Sequence, residues 1–300
     1  MEKCLAFVLG GGGARGALQV GALRALFEAG LKPDLLVGTS IGAVNGAGLA
    51  QWGINLDGVK ALEQAYQEVA DSRLMDPRLA RLAISIFSLH PNHHASRRMA
   101  EFFTAKGITP DLRFDQIRNV RLALIGADLD TGQTVIYGKD PEQSVLEGLM
   151  ASIALPPWFA PVEKDGHYIV DGGALSNLPI EPALTLGATQ IIALDLDDPH
   201  KMLGSANAQG QYMEKLVYSI TQRQVTLEME LASARGVPVQ YVSLRSSPPV
   251  PIWDFRTHRD LFKIGYEIMR QKMSAWPQDD QPEISLPRLI SEGQASWMSN

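Results

Sequence analysis

Three short segments carry groups that could do chemistry. Gly11-Gly12-Gly13-Ala14-Arg15-Gly16 follows an apolar run and opens a helical pattern, a setting in which backbone N–H groups and a helix N-terminus face an anion. Gly38-Thr39-Ser40-Ile41-Gly42 fits G-x-S-x-G at a second strand-to-helix turn, where a sharp bend projects the serine oxygen. Asp171-Gly172-Gly173 ends a further apolar run, and its glycines allow another backbone to come close to the acid. Each segment alone has an ordinary reading: a tight glycine turn, a small-residue turn with Ser40 capping a helix, and an Asp-Gly turn. Gathered at one set of strand ends, they would supply a hydroxyl nucleophile, a base and oxyanion donors.

Other chemistries compete for the same residues. A dinucleotide site wants an acid about 20 positions after the first glycines, at the end of the second strand. Asp34 has that spacing but precedes the strand, and no Gly-Lys-Ser or Gly-Lys-Thr follows the glycines to make a phosphate loop. A histidine-based triad is the second alternative. His90, His93 and His94 lie in a helical stretch with no companion metal ligands, while His167, His200 and His258 remain as bases. In the order serine, acid, histidine, only His200 and His258 follow Asp171. The acids Asp128 and Asp130, and Asp195, Asp197 and Asp198, also sit at strand ends. They raise a divalent-metal reading, against which solvated loop ends are simpler. No metal or cofactor is expected.

These groups need strands and helices to hold them. Residues 3–9 and 35–37 read as buried strands, residues 14–29 as the helix between them, and residues 41–50 as a small-residue helix pressed on a sheet. Gln19, Arg24 and Glu28 mark the polar positions of the first helix. Val59, Leu62, Tyr66 and Val69 share one helical face, and residues 77–107 read as further helical pieces. Strands are expected at 121–127, 134–137, 167–170, 190–194 and 239–243, and helices near 141–150, 212–234 and 259–273. The fold class is therefore α/β, with a mostly parallel central sheet between helical layers. The chain reads as one domain over residues 1–300, with a helical cap inserted at about 55–115 and an irregular tail at about 277–300.

Composition narrows the function classes. Over 300 residues, 45% are hydrophobic and 20% charged, as in an ordinary globular chain. The 27 basic residues against 33 acidic ones, with no long block of either sign, argue against nucleic acid as a partner. Cys4 stands alone in apolar surroundings, so it reads as a small buried residue and not as part of a disulfide framework. The apolar run before the glycines is too short for a secretory signal, and no run approaches the roughly 18 apolar residues of a membrane span. A cytoplasmic location follows as the expectation.

The three segments, in this order and with these separations, resemble the patatin-like phospholipase family. The resemblance extends to Ala127-Asp128-Leu129-Asp130-Thr131-Gly132, to Ala151-Ser152-Ile153-Ala154-Leu155-Pro156 with Phe159 and Pro161-Val162, and to Asn177-Leu178-Pro179, so it covers roughly residues 3–195. It implies a three-layer α/β/α fold and a lipid acyl hydrolase, of phospholipase A or lipolytic esterase type, that works without a required metal. On that likeness Ser40 is the nucleophile, Asp171 the base, and the amides of Gly11, Gly12 and Gly13 the oxyanion hole. Gly16, Gly38, Gly42, Gly172 and Gly173 support the motifs. The sequence departs from many relatives at Gly10 and at Gly172-Gly173, where Gly-Ala is commoner. Arg15 is a candidate to orient the glycine loop or meet a lipid phosphate, with a surface salt bridge as its ordinary alternative. Phe87 and the pair Trp158-Phe159 are too apolar for solvated loops and are candidates for an acyl groove or a membrane-contacting lip, with plain core as the alternative. The expected partner is a phospholipid or other acyl ester, with peripheral membrane contact.

Overall fold

The computed structural model describes residues 3–72, 93–156, 158–196 and 208–276. Strand β1 (Leu5–Leu9) leads through the glycine loop and a short 3-10 turn into α1 (Gly16–Glu28). Then come β2 (Leu35–Thr39), α2 (Ile41–Trp52), α3 (Leu56–Asp71) and α4 (His93–Ala105). The chain continues through β3 (Arg121–Asp128), β4 (Thr134–Tyr137), α5 (Val145–Ser152), β5 (Val162–Lys164), β6 (His167–Asp171) and α6 (Ile180–Thr185). It closes with β7 (Gln190–Asp195), α7 (Ala208–Ala234), β8 (Val239–Ser243) and α8 (His258–Ser274).

Among the described residues the eight strands share one sheet, ordered β5-β6-β3-β2-β1-β7-β8 with β4 also on β3. From β3 to β8 the pairs are parallel, and β4, β5 and β6 make an antiparallel margin. The apolar runs of β1 and β2 are continuous because both faces are covered. Phe7, Leu9 and Leu36 pack with α1, α2, α3 and α8, whereas Ala6, Val8, Leu35 and Val37 pack with α6 and α7. The mixed α/β architecture with a mostly parallel sheet matches the sequence expectation. Two elements escaped it: β5 has three residues and α6 six, too few for any periodicity to register. The helix expected at 141–150 starts later, where the Ser144 side chain accepts from the Glu147 amide at 3.4 Å.

Local signals explain the helices that matter to the site. Asn55 caps α3 by accepting from the Asp57 and Gly58 amides at 2.9 and 3.1 Å, and Val59, Leu62 and Tyr66 then turn inward. Helix α1 is apolar nearly all round and is buried accordingly, down to Gln19 at 0% exposure. Gln19 is thus a core residue and not a solvent position. Asp34, the residue spaced for a ribose, instead accepts the Leu5 amide at 2.8 Å and pins the start of β1 to β2. Cys4 is only partly buried at that same margin.

Helix α1 carries the glycine loop at its N-terminus, and α8 crosses it at backbone contact. A Cβ on Gly21 would stand 1.9 Å from the Phe262 carbonyl oxygen, and one on Gly265 would stand 1.9 Å from that of Leu18. The two helices therefore meet through reciprocal glycines. Gly46, in α2, has room by contrast, its nearest neighbour being Leu122 Cδ1 at 3.6 Å. Gly21→Ala and Gly265→Ala should each lose about 3 kcal/mol or more in denaturant unfolding. Gly46→Ala should hold or gain up to about 1 kcal/mol from helix propensity. Equal effects at all three positions would dismiss the crossing as a constraint.

Candidate active site

Strand register brings Ser40 and Asp171 together. Thr39 lies opposite Ile125 across the β2/β3 pair, and the next residue of β3, Gly126, lies opposite Asp171 of the antiparallel β6. The residue after Thr39 and the last residue of β6 thus arrive at the same level of the sheet. Thr39 adds a tie by donating its hydroxyl to the Ser176 carbonyl at 2.9 Å, just beyond the acid.

Ser40 sits at φ 56° and ψ −124°, a left-handed backbone that costs a non-glycine residue about 1–3 kcal/mol. Its neighbours permit the turn by lacking side chains: a Cβ on Gly42 would meet the Leu9 carbonyl oxygen at 2.1 Å, and one on Gly38 that of Gly42 at 2.5 Å. The Ser40 amide donates to Ser152 Oγ at 3.0 Å, and its carbonyl accepts from Ala43 and Val44 to start α2. The side chain makes no capping bond, which sets aside the helix-cap reading. Its hydroxyl instead faces the Asp171 carboxylate and favours that group's charged form.

Asp171 is 4% exposed. Its Oδ1 accepts the Gly173 amide at 2.8 Å, and its own amide donates to Ala154. Burial disfavours the charged form and raises the carboxyl to about 6, partly opposed by the Ser40 hydroxyl and the Gly173 amide. Such a carboxylate is largely ionised at neutral pH yet basic enough to accept a proton. Gly172 packs on the Ile125 carbonyl, and Gly173 beside Asn177.

The glycine loop faces this pair, and Gly11 packs directly beside Ser40. Its amides are not equivalent. Gly10 donates to Leu194 and Gly11 to the Asn177 carbonyl at 3.0 Å, whereas those of Gly12 and Gly13 have no hydrogen-bond partner among the described residues. Of the three amides expected from the sequence as oxyanion donors, that of Gly11 is therefore engaged in holding the loop, and those of Gly12 and Gly13 are not. A buried polar network fixes that loop from below. Gln19 donates to the Gly10 and Leu194 carbonyls, Asn45 to the Gly16 carbonyl and Gln19, and Tyr66 to Asn45, all within 3.1 Å. Gly16 itself lies under Ile41 and Tyr66. Arg15 is 2% exposed, and its Nε donates to the Gly12 carbonyl at 3.2 Å.

Beside these groups opens a cavity of about 310 Å³. One end is polar, with Ser40, Asp171, Asn177 and the glycine loop. The rest is apolar, walled by Trp52, Leu62 and Val69, by Met99, Phe102 and Phe103 of α4, and by Ile153, Trp158 and Phe159. Trp158 and Phe159 therefore line the space next to Ser40, while Phe87 lies outside the described residues.

The other candidates fall elsewhere. His258 is 4% exposed, its Nδ1 lies 2.7 Å from the Phe255 carbonyl, and it does not line the cavity. His167 pairs with Asp128 at 2.8 Å, which raises the imidazole pKa. Asp128 is also bonded by the Asp130 and Thr131 amides, and Asp130 accepts the Tyr168 amide, so these acids staple a hairpin turn. Asp195 accepts the Tyr241 hydroxyl. His93 and His94 are exposed at the start of α4, whereas His90, His200, Asp197 and Asp198 lie outside the described residues. Four residues that position the site were not singled out for it from the sequence: Gln19, Asn45, Ser152 and Asn177. Only the last two stand inside segments whose resemblance could have flagged them.

Patatin-like phospholipase domain-containing protein 7 of Rattus norvegicus is 31% identical over 204 residues, covering 65% of this chain and 14% of the relative. Patatin-like phospholipase domain-containing protein 6 of Mus musculus is 34% identical over 197 residues, covering 64% of this chain and 13% of the relative. The chain thus spans about one seventh of the length of these relatives. Among solved structures, VipD from Legionella pneumophila aligns with a TM-score of 0.44 at 13% identity, over 91% of this chain and 67% of that one. The family described as patatin-like phospholipase matches residues 7–184, the stretch that holds the glycine loop, the Ser40 turn and Asp171, and the chain belongs to that family.

Proposed function

We propose that this chain hydrolyses carboxylic esters of lipids, as a phospholipase A or lipolytic esterase, through a dyad of Ser40 and Asp171. The observation that carries the reading is the buried Asp171 carboxyl beside Ser40 at the polar end of an otherwise apolar cavity. The Ser40 oxygen attacks the ester carbonyl carbon while Asp171 takes its proton, and the Gly12 and Gly13 amides receive the oxyanion. Collapse expels the alcohol, which leaves with the proton from Asp171. Water then attacks the acyl-enzyme with Asp171 again as base, and the fatty acid departs. The acyl chain lies along Trp52, Phe103, Trp158 and Phe159, so the helices between residues 55 and 115 act as its cap. No metal takes part.

The substrate comes from an aggregated lipid phase, and the protein meets it as a peripheral visitor. Among the described residues no helix is long and apolar enough to cross a membrane. Helix α7 has an exposed apolar side instead, with Tyr212, Leu216, Ile220 and Leu227, and its Val217 also lines the cavity. Ile220→Glu combined with Leu216→Glu should cut turnover of phospholipid vesicles several-fold while leaving a soluble short-chain ester unaffected. Equal activity on vesicles would remove α7 from the contact.

For the dyad, folded Ser40→Ala should show no ester hydrolysis. Asp171→Asn should lose on the order of 10⁴ in kcat, as when a triad member is removed. His258→Ala should keep most activity, and a chelator should change nothing. A folded but inactive His258→Ala, with Asp171→Asn only impaired, would replace the dyad with a histidine triad. The pH profile follows from the sign of the Asp171 shift. The base works unprotonated, so kcat/KM should be level above about 6 and fall roughly tenfold per pH unit below it. An acid limb near 4 would mean that burial does not tune this carboxyl.

A further inference from the structure

Glu228 of α7 is a buried acid that the reaction above does not use. It is 8% exposed, and no basic group pairs with it among the described residues. Its Oε1 accepts the Ser176 hydroxyl at 2.7 Å, and its Oε2 accepts the Glu181 amide at 2.7 Å. Both partners belong to the segment that runs from Asp171 into α6. One turn earlier on α7, Gln224 donates to the Ala174 carbonyl at 2.8 Å, in the same segment. Ser176 is itself 2% exposed, donates its amide to the Gly172 carbonyl, and accepts the Thr39 hydroxyl on its own carbonyl. A continuous chain of contacts therefore leads from Glu228 through Ser176 to Thr39, the residue before Ser40, and to Gly172, the residue after Asp171.

A buried carboxyl with no counter-charge is an expensive way to fill space, and an apolar side chain would do that better. What a carboxyl offers is two acceptor oxygens in one rigid plane, which here grip two points of the loop at once. Helix α7 is also the element whose Val217 and Thr221 line the cavity, so the grip ties the acyl-facing wall to the acid's loop. We propose that Glu228 is a positioning residue for ester hydrolysis: through Ser176 it holds the Asp171 loop against the Ser40 turn. This rests on the Ser40/Asp171 reading. Burial first, and then the nearby Glu181 charge, lift the Glu228 carboxyl to about 7 against the hydrogen bonds it accepts; a Gln keeps both tethers without the charge when its oxygen accepts the Glu181 amide and its NH2 donates to the Ser176 oxygen, whose own hydroxyl hydrogen turns away.

The test compares wild type, Ser40→Ala, Glu228→Ala, Glu228→Gln, Ser176→Ala and the Glu228→Ala/Ser176→Ala double variant. Each is assayed for kcat and KM on a short-chain ester, for the rate at which a fluorophosphonate labels Ser40, and for melting temperature. At a temperature where every variant is folded, Glu228→Ala should lose about tenfold or more in both kcat and labelling rate with KM little changed. Glu228→Gln should restore most of the rate. Ser176→Ala should fall like Glu228→Ala, and the double variant should fall no further, since both break one chain of contacts. Should Glu228→Ala fail to fold, Ser176→Ala and Glu228→Gln carry the comparison. Wild-type kcat and labelling in Ser176→Ala and Glu228→Ala would overturn the proposal. So would a change confined to KM or melting temperature, or a Gln variant as slow as the Ala one. If wild type and Ser40→Ala hydrolyse the ester equally, the failure belongs to the dyad reading and not to Glu228.

Discussion

A serine held at positive φ between a strand and a helix does not stay there by its own preference, and much of this structure serves to keep Ser40 in place. The turn puts the hydroxyl beyond reach of the helix it would otherwise cap and leaves it to Asp171. The strain of about 1–3 kcal/mol is tolerable only where the surroundings leave no alternative. Here Gly42 lies flat against the end of β1, Ser152 takes the Ser40 amide, and Thr39 is anchored across the sheet margin to Ser176. Each of these contacts comes from a different part of the chain, so the turn is a product of the completed sheet and not of its own five residues.

Hydrogen-bond donors, more than burial, give the acids at the strand ends opposite characters. Burial pushes upward on both Asp128 and Asp171, yet the first lies at about 2 and the second at about 6. Asp128 gathers hydrogen bonds from Thr131 and His167 and from the Asp130 and Thr131 amides, which favour its charged form and make it a fixed anchor. Asp171 receives only the Ser40 hydroxyl and one amide, too little to offset its desolvation. A shortage of donors keeps that carboxyl basic, and the Gly-Gly that follows it contributes by adding backbone without adding polar side chains. The same apolar walls that would hold an acyl chain exclude the water that would otherwise relieve this carboxylate.

The sequence made the parts legible and left their assembly hidden. Strand-to-helix order, the glycine loop and the Ser40 turn could be read from periodicity and from short patterns because each is local. Pairing Ser40 with Asp171 rested on resemblance, since the decisive contact depends on β6 entering the sheet antiparallel to β3 with Gly126 opposite the acid. No spacing along the chain encodes that register. The distinction among glycine amides was equally invisible: whether Gly11 is free depends on the carbonyl of Asn177, distant in sequence. Gln19 looked like a surface residue because helical polarity patterns assume one wet side, and α1 has almost none. Three-residue β5 and six-residue α6 fell below the length at which any pattern repeats.

The polar groups buried around the glycine loop and the Asp171 segment share one task. Gln19, Asn45 and Tyr66 support the carbonyls under the glycine loop, Asn177 occupies the Gly11 amide, and Glu228 occupies Ser176. Each satisfies a backbone or side-chain group that would otherwise compete for Ser40, for Asp171 or for the two remaining amides. A donor or acceptor left over in a dry site is available to whatever enters it. By pairing off Gly10 and Gly11 and leaving the Gly12 and Gly13 amides without a partner among the described residues, the network leaves the loop's unspent hydrogen-bonding capacity in the glycines that line the cavity with Ser40.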